Sequence, residues 1–147
     1  MLRFKYRRIE RPRPLGPKTL PVIPIKLTGK NGGQFETAAL VDSGADYSVI
    51  FDEHAQILGI DTTNLEKIAV QGIGGKLTAA ITTTTIELKG PGEHRKFTLE
   101  IPLMILPKQS ENHPILLGRA GFFEKFEVKF NETEKAVMLK PLDNNDW

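Results

Sequence analysis

A single Asp-Ser-Gly, Asp42-Ser43-Gly44, directly follows Ala39-Leu40-Val41, the apolar end of a stretch from Phe35 to Val41 that reads as a strand. A carboxylate can take up or release a proton. A neighbouring hydroxyl can lock a turn, and a glycine lets the backbone bend with no Cβ in the way. A buried strand leading into such a loop fixes the carboxylate in space. The same three residues also make an ordinary turn at the end of a strand. Attack of water on a peptide carbonyl needs one group to take a proton and another to give one. Two carboxylates about 3 Å apart cannot both ionise, so the pair shares a proton and supplies base and acid together. Only Asp42 has the strand-into-glycine setting; Asp52 and Asp61 fall at an apparent helix start and in a polar loop. One such carboxylate per chain means that this chemistry requires a homodimer, with Asp42 of each copy on a two-fold axis.

The elements that must position Asp42 read as hairpins. Residues 1–19 hold Pro12, Pro14 and Pro17 among charges and read as an extended basic arm. A strand from Val22 through Leu27, a glycine turn at 29–33 and a strand from Phe35 to Val41 form the hairpin that ends in Asp42. Tyr47-Ser48-Val49-Ile50 returns to the core. Asp52 to Leu58 follows as two turns of helix, with Asp52 as N-cap and Gly59 just past its end. Lys67–Gln71 and Lys76–Leu88 form a longer hairpin, whose Thr-rich second arm favours strand. Its connection, Gly72-Ile73-Gly74-Gly75, is a glycine-rich tip carrying one apolar side chain, suited to closing over a ligand. Phe97, Leu99 and Ile101 alternate on one face and lead into the apolar run 102–107. A polar loop at 108–113, a buried strand Ile115-Leu116-Leu117 meeting Gly118-Arg119, and a short helix over 120–125 come next. A last hairpin pairs 126–130 with 136–139, and 143–147 is a polar tail. Strands dominate, which predicts an all-β, barrel-like single domain over 20–142 with one or two short helices.

Composition narrows the function classes. The 147 residues, 39% hydrophobic and 26% charged, fit one soluble globular domain. No run approaches the ~20 apolar residues that span a bilayer, and the basic N-terminus lacks the apolar core of a secretory signal. There is no cysteine, so neither disulfides nor thiolate chemistry arise, and the expected compartment is cytoplasmic. The net charge of +2 hides an asymmetry: residues 1–18 carry seven basic groups against Glu10, and the remainder sums to −4. That body is not basic enough to suggest nucleic-acid binding.

Three stretches taken together resemble the retropepsins, the single-lobe aspartic proteases of retroviruses and their cellular and bacterial relatives. They are Leu40-Val41-Asp42-Ser43-Gly44-Ala45-Asp46, Gly72-Ile73-Gly74-Gly75 and Ile115-Leu116-Leu117-Gly118-Arg119, in this order, the latter two about 30 and 76 residues after Asp42. The resemblance implies a closed acid-protease-like barrel and a homodimeric aspartic endopeptidase acting on extended, apolar-flanked peptides. By the same resemblance Asp42 is the catalytic carboxylate, Ser43 bonds across to its symmetry mate, and Gly44 places its N–H near the carboxylate. Asp46 and Arg119 would form an internal ion pair beside Gly118. The segment from Gly72 to Gly75 would be the flap, and Ala45, Ile73 and Ile115 would face apolar substrate pockets. Ser43 stands where many active members have threonine, and Ala120 where the family often has Asp or Asn. A catalytically silent peptide-binding or dimerisation module of the same fold is the alternative.

No cofactor is implied. His54, His94 and His113 are scattered without metal-ligand spacing. The glycine tip is no phosphate loop, since Gly75-Lys76 is followed by Leu77 rather than Ser or Thr.

Overall fold

The computed structural model describes residues 1–11, 13–72, 75–107 and 114–142. The tip residues Ile73 and Gly74, the loop 108–113 with His113, and the tail 143–147 lie outside the described residues.

Six strands close on themselves. They are β4 (Val22–Thr28), β5 (Gln34–Val41), β6 (Ser48–Phe51), β8 (Gly75–Leu88), β9 (Phe97–Leu106) and β10 (Ile115–Leu117). The pairings run β4-β5-β10-β6-β9-β8 and return to β4 through Lys26↔Glu87, Leu27↔Ile86 and Thr28↔Thr85. Period-two alternation explains which face turns inward: Phe97, Leu99, Ile101, Leu103 and Ile105 of β9 are buried, while Thr98 and Glu100 are exposed. Each such apolar side chain contributes roughly 1.5–3 kcal/mol on leaving water. β7 (Glu66–Gly72) pairs with the first half of β8 as a hairpin that stands out from this ring.

Between β6 and β7 lies the one α-helix among the described residues, α1 (Asp52–Ile57). Phe51, not Asp52, occupies its cap position; Asp52 is the first helical residue, and its charge still suits the helix N-terminus. The Phe51 N–H donates to Nδ1 of His54 at 3.1 Å, and the His54 ring stacks on Phe35, centroids 5.2 Å apart. His54 is therefore a structural residue of this corner. Gly59 ends the helix with φ 72°.

The stretch expected as a second helix is not helical. Arg119–Phe123 make a wide turn in which Ala120 (φ −66°, ψ 125°) and Gly121 (φ 80°, ψ −45°) leave helical geometry. A Cβ at Gly121 would lie 2.7 Å from Pro102 and 3.0 Å from Ile101, so the turn sits directly on β9. It delivers Phe122, fully buried, against Phe126 at 5.3 Å between ring centroids.

Residues 1–19 are not the free arm their charges and prolines suggested. β1 (Leu2–Lys5) pairs with β12 (Ala136–Pro141), which pairs in turn with β11 (Phe126–Asn131). Leu2, Phe4 and Tyr6 alternate inward and are buried in the core, while Arg3 and Lys5 face water. The Tyr6 hydroxyl donates to the Glu132 carboxylate at 2.9 Å, and its N–H donates to the Lys135 carbonyl at 2.8 Å. Burial, and then the Glu132 carboxylate, push the Tyr6 phenol up to about 12. Beyond Tyr6, β2 (Arg7–Ile9) and β3 (Lys18–Leu20) pair, among the described residues, only with each other, as a separate two-stranded ribbon.

Candidate active site

β5 carries Asp42 to the edge of the barrel between two supports. On one side β10 runs parallel, with Ile115↔Ala39, Leu116↔Leu40 and Leu117↔Val41 in register. On the other side the antiparallel β4 begins at Val22, opposite Leu40. The ladder bonds continue past the strand end: Val41 N–H donates to Pro21 O and Asp42 N–H to Leu117 O, both at 3.0 Å. The chain then turns sharply. Gly44 N–H donates to Asp42 Oδ1 at 2.8 Å and Ala45 N–H to the Asp42 carbonyl at 3.3 Å. One carboxylate oxygen is thus oriented by the loop's own backbone. Asp42 is half-buried, between the buried Val41 and the exposed Ser43 and Gly44.

A second loop braces the first. Arg119 N–H donates to Ala45 O and Ala120 N–H to Asp46 O, each at 2.8 Å. Gly118 N–H donates to the Ser48 hydroxyl at 3.1 Å, and Ser48 is only 1% exposed. A Cβ at Gly118 would collide with the Tyr47 carbonyl, so only glycine permits this approach. Ser48 was not singled out from the sequence. Its only signal is a hydroxyl inside the apolar run Tyr47-Ser48-Val49-Ile50, and such a group must find a partner once buried.

Two expectations change. Among the described residues no ion pair joins Asp46 to Arg119; both side chains are exposed, and they share with Tyr47, Phe123 and Glu124 the lining of an open hollow of about 600 Å³. Main-chain hydrogen bonds do the bracing, because side chains at a wet rim gain little from pairing. Ile115 does not face a pocket: it is 3% exposed and belongs to the core, since its register beside Ala39 turns it inward. Tyr47, next to the Asp42 loop, is a large side chain that stays 39% exposed there.

The hairpin of β7 and β8 reaches the Gly72↔Gly75 pair, with Gly75 at φ 113°. Of the other carboxylates considered, Asp52 opens α1. Asp61 accepts the Thr63 N–H at 2.9 Å, a bond that holds its carboxyl below the usual range. Neither approaches the arrangement at Asp42. Among the described residues no three His, Asp or Glu side chains are grouped to hold a metal, and no helix is long and apolar enough to cross a membrane.

Residues 25–120 match the family model described as aspartyl protease. The chain belongs to that family. The match spans the barrel from within β4 to Ala120 and so includes both active-site loops, while β1 to β3 and the β11–β12 hairpin lie outside it. No curated protein matches the chain. Among solved structures it is similar to a retropepsin-like aspartic protease from Rickettsia conorii, with 21% identity over 91% of this chain and 98% of that one, at a TM-score of 0.56. It is also similar to EIAV protease complexed with the inhibitor HBY-793, with 22% identity over 68% of this chain and 82% of that one, at a TM-score of 0.49. The fold of this aspartyl protease family member is retropepsin-like, and Asp42 with its glycine-braced loop lies inside the matched span.

Proposed function

We propose that the chain is a homodimeric aspartic endopeptidase that hydrolyses extended peptide segments with water activated between two Asp42 carboxylates, one from each copy. The observation that carries this reading is the setting of Asp42. It sits at the end of a doubly supported strand, half-buried, with Oδ1 held by the Gly44 N–H and the exposed Ser43 and Gly44 directly after it. A carboxylate so oriented can share a proton with a mate across a two-fold axis, behaviour for which aspartic-protease dyads are the standard example. The pair titrates as a unit, so neither Asp42 has a pKa of its own in the dimer. The Ser43 hydroxyl, exposed next to it, bonds across the axis and holds the two loops together. The β7–β8 hairpin, with Gly72, Ile73, Gly74 and Gly75 at its tip, closes over the peptide. The peptide in turn pairs through its backbone and presents side chains to alternating pockets. Ala45 and Tyr47 beside the carboxylate favour apolar side chains next to the bond cut.

The test is cleavage of a peptide library between roughly pH 3.5 and 7.5, with Asp42→Asn alongside and protein concentration varied. Cleavage that needs Asp42 and rises faster than linearly in dilute protein is expected. Cleavage surviving Asp42→Asn would refute the reading.

A further inference from the structure

We propose that the β2–β3 ribbon selects substrates, favouring peptides with acidic residues on either side of the apolar segment to be cut. This rests on the proteolytic reading above. The ribbon is rooted at the site: β3 passes through Pro21 into β4, and Pro21 O accepts the N–H of Val41, the residue before Asp42. Its shape is fixed. Arg7↔Leu20, Arg8↔Thr19 and Ile9↔Lys18 are paired, and the Arg11 guanidinium donates to Gly16 O at 2.8 Å and Leu15 O at 3.0 Å, tying the connecting loop. The barrel does not bury it: no residue of either strand is buried, and Leu15 in the loop is 62% exposed. It is strongly cationic, with Arg7, Arg8, Arg11, Arg13 and Lys18 against Glu10. Arg8 pairs with Glu10 at 3.0 Å and Arg11 holds the loop, while Lys18 lies within electrostatic reach of Glu132. Arg7 and Arg13 are exposed and form no ion pair among the described residues.

Symmetry decides what such a surface fits. If the two Asp42 residues meet on an axis, each ribbon is rooted one strand away from the residue that precedes Asp42, so the two-fold brings two cationic ribbons to the same cleft. Like charges repel, so the ribbons are poor contacts for each other. An anionic chain running through the cleft relieves both. The rest of the chain, from residue 19 onward, sums to −4, which suits a short acidic segment at the ribbon better than a long polyanion laid across the body.

The experiment uses the full chain and peptides sharing one apolar core, flanked a few residues outside it by Glu, Gln or Lys. Glu-flanked peptides are expected to be cut with roughly tenfold higher kcat/KM than Lys-flanked ones at low salt, mostly through KM, the gap narrowing as salt is added. Arg7→Gln/Arg13→Gln brings that ratio toward one, and Arg7→Glu/Arg13→Glu turns the preference toward Lys. No flank preference in the unmodified protein, or a preference unchanged in both variants, overturns the proposal. So does loss of the dimer in the variants by sedimentation, which would make the ribbon an interface. Ribbon-dependent binding of single-stranded nucleic acid without any flank preference overturns it as well. Fluorescence anisotropy of the same peptides on Asp42→Asn reads the preference without cleavage. A protein that binds acidic-flanked peptides through the ribbon but cuts none would refute the proteolytic reading and reduce the ribbon to a peptide-binding surface, whereas cleavage without flank preference refutes the ribbon's role alone.

Discussion

Gly118 and Ser48 hold the Asp42 loop from behind, and each makes a prediction that a single substitution can check. A methyl group at Gly118 would strike the Tyr47 carbonyl and approach Ala45 O, backbone atoms of the very loop that carries Asp42. Gly118→Ala should therefore cost about 1–3 kcal/mol in urea denaturation, with peptide cleavage falling further than the stability loss explains. Ser48→Ala leaves the Gly118 N–H buried without its partner and is expected to cost about 1–3 kcal/mol; an unchanged urea midpoint would show that this bond is dispensable. Gly118 was legible through the resemblance carried by Ile115-Leu116-Leu117-Gly118-Arg119. Ser48 was not, because what a buried hydroxyl meets depends on the strand that crosses it, here β10 against β6. The absent ion pair between Asp46 and Arg119 is the converse case: opposite charges near each other in a fold need not touch when both can be solvated.

At the scale of elements, the turn at 119–123 and the strand β1 decide how the barrel is closed off. Phe122 is fully buried against Phe126 and Phe123. Phe122→Ala should cost about 3–5 kcal/mol by thermal or denaturant unfolding. β1 is anchored by Tyr6, whose phenol is pushed from 10.0 up to about 12. An acid whose folded pKa is raised adds stability that is fully present below its unfolded pKa and lost as pH rises through the folded one. Stability from Tyr6 is thus complete below pH 10 and fades toward pH 12. The difference in ultraviolet titration between the unmodified protein and Tyr6→Phe should show a phenolate forming near the upper end of that window, and a midpoint at 10 would contradict it. Glu132 is shifted the other way, held below the usual carboxylate range by Lys135 first and then by Tyr6. Its contribution is present above the ordinary carboxylate pKa and is lost as acid takes pH down through the lowered one. The hairpins from Val22 onward were readable because alternation, glycine turns and threonine runs agree with one another. β1 has the same alternation in Leu2-Arg3-Phe4-Lys5-Tyr6, but the interleaved charges and the prolines after it masked the pattern. The false helix at 120–125 has helix-like composition, yet Gly121 takes a left-handed φ to lie against β9.

For the whole molecule, a ring of six strands fixes Asp42 at one edge, and a single copy supplies one such carboxylate to the proposed site. The fold class was legible because strands in hairpins dominate the chain and three short motifs resembling those of the retropepsins fall in order along it. The proposed second copy is signalled in the sequence only by the single Asp-Ser-Gly, since an interface between copies leaves no period or spacing to read. Subunit mixing tests that central claim most directly. A fixed amount of unmodified protein is allowed to exchange subunits with an equal amount of Asp42→Asn, and its peptide cleavage is followed. If each active site takes one Asp42 from each copy, random pairing places about half of the intact chains with an inactive partner, and activity falls to about half. Activity that stays unchanged as Asp42→Asn is added to excess would mean that each chain cuts alone, and would contradict the account.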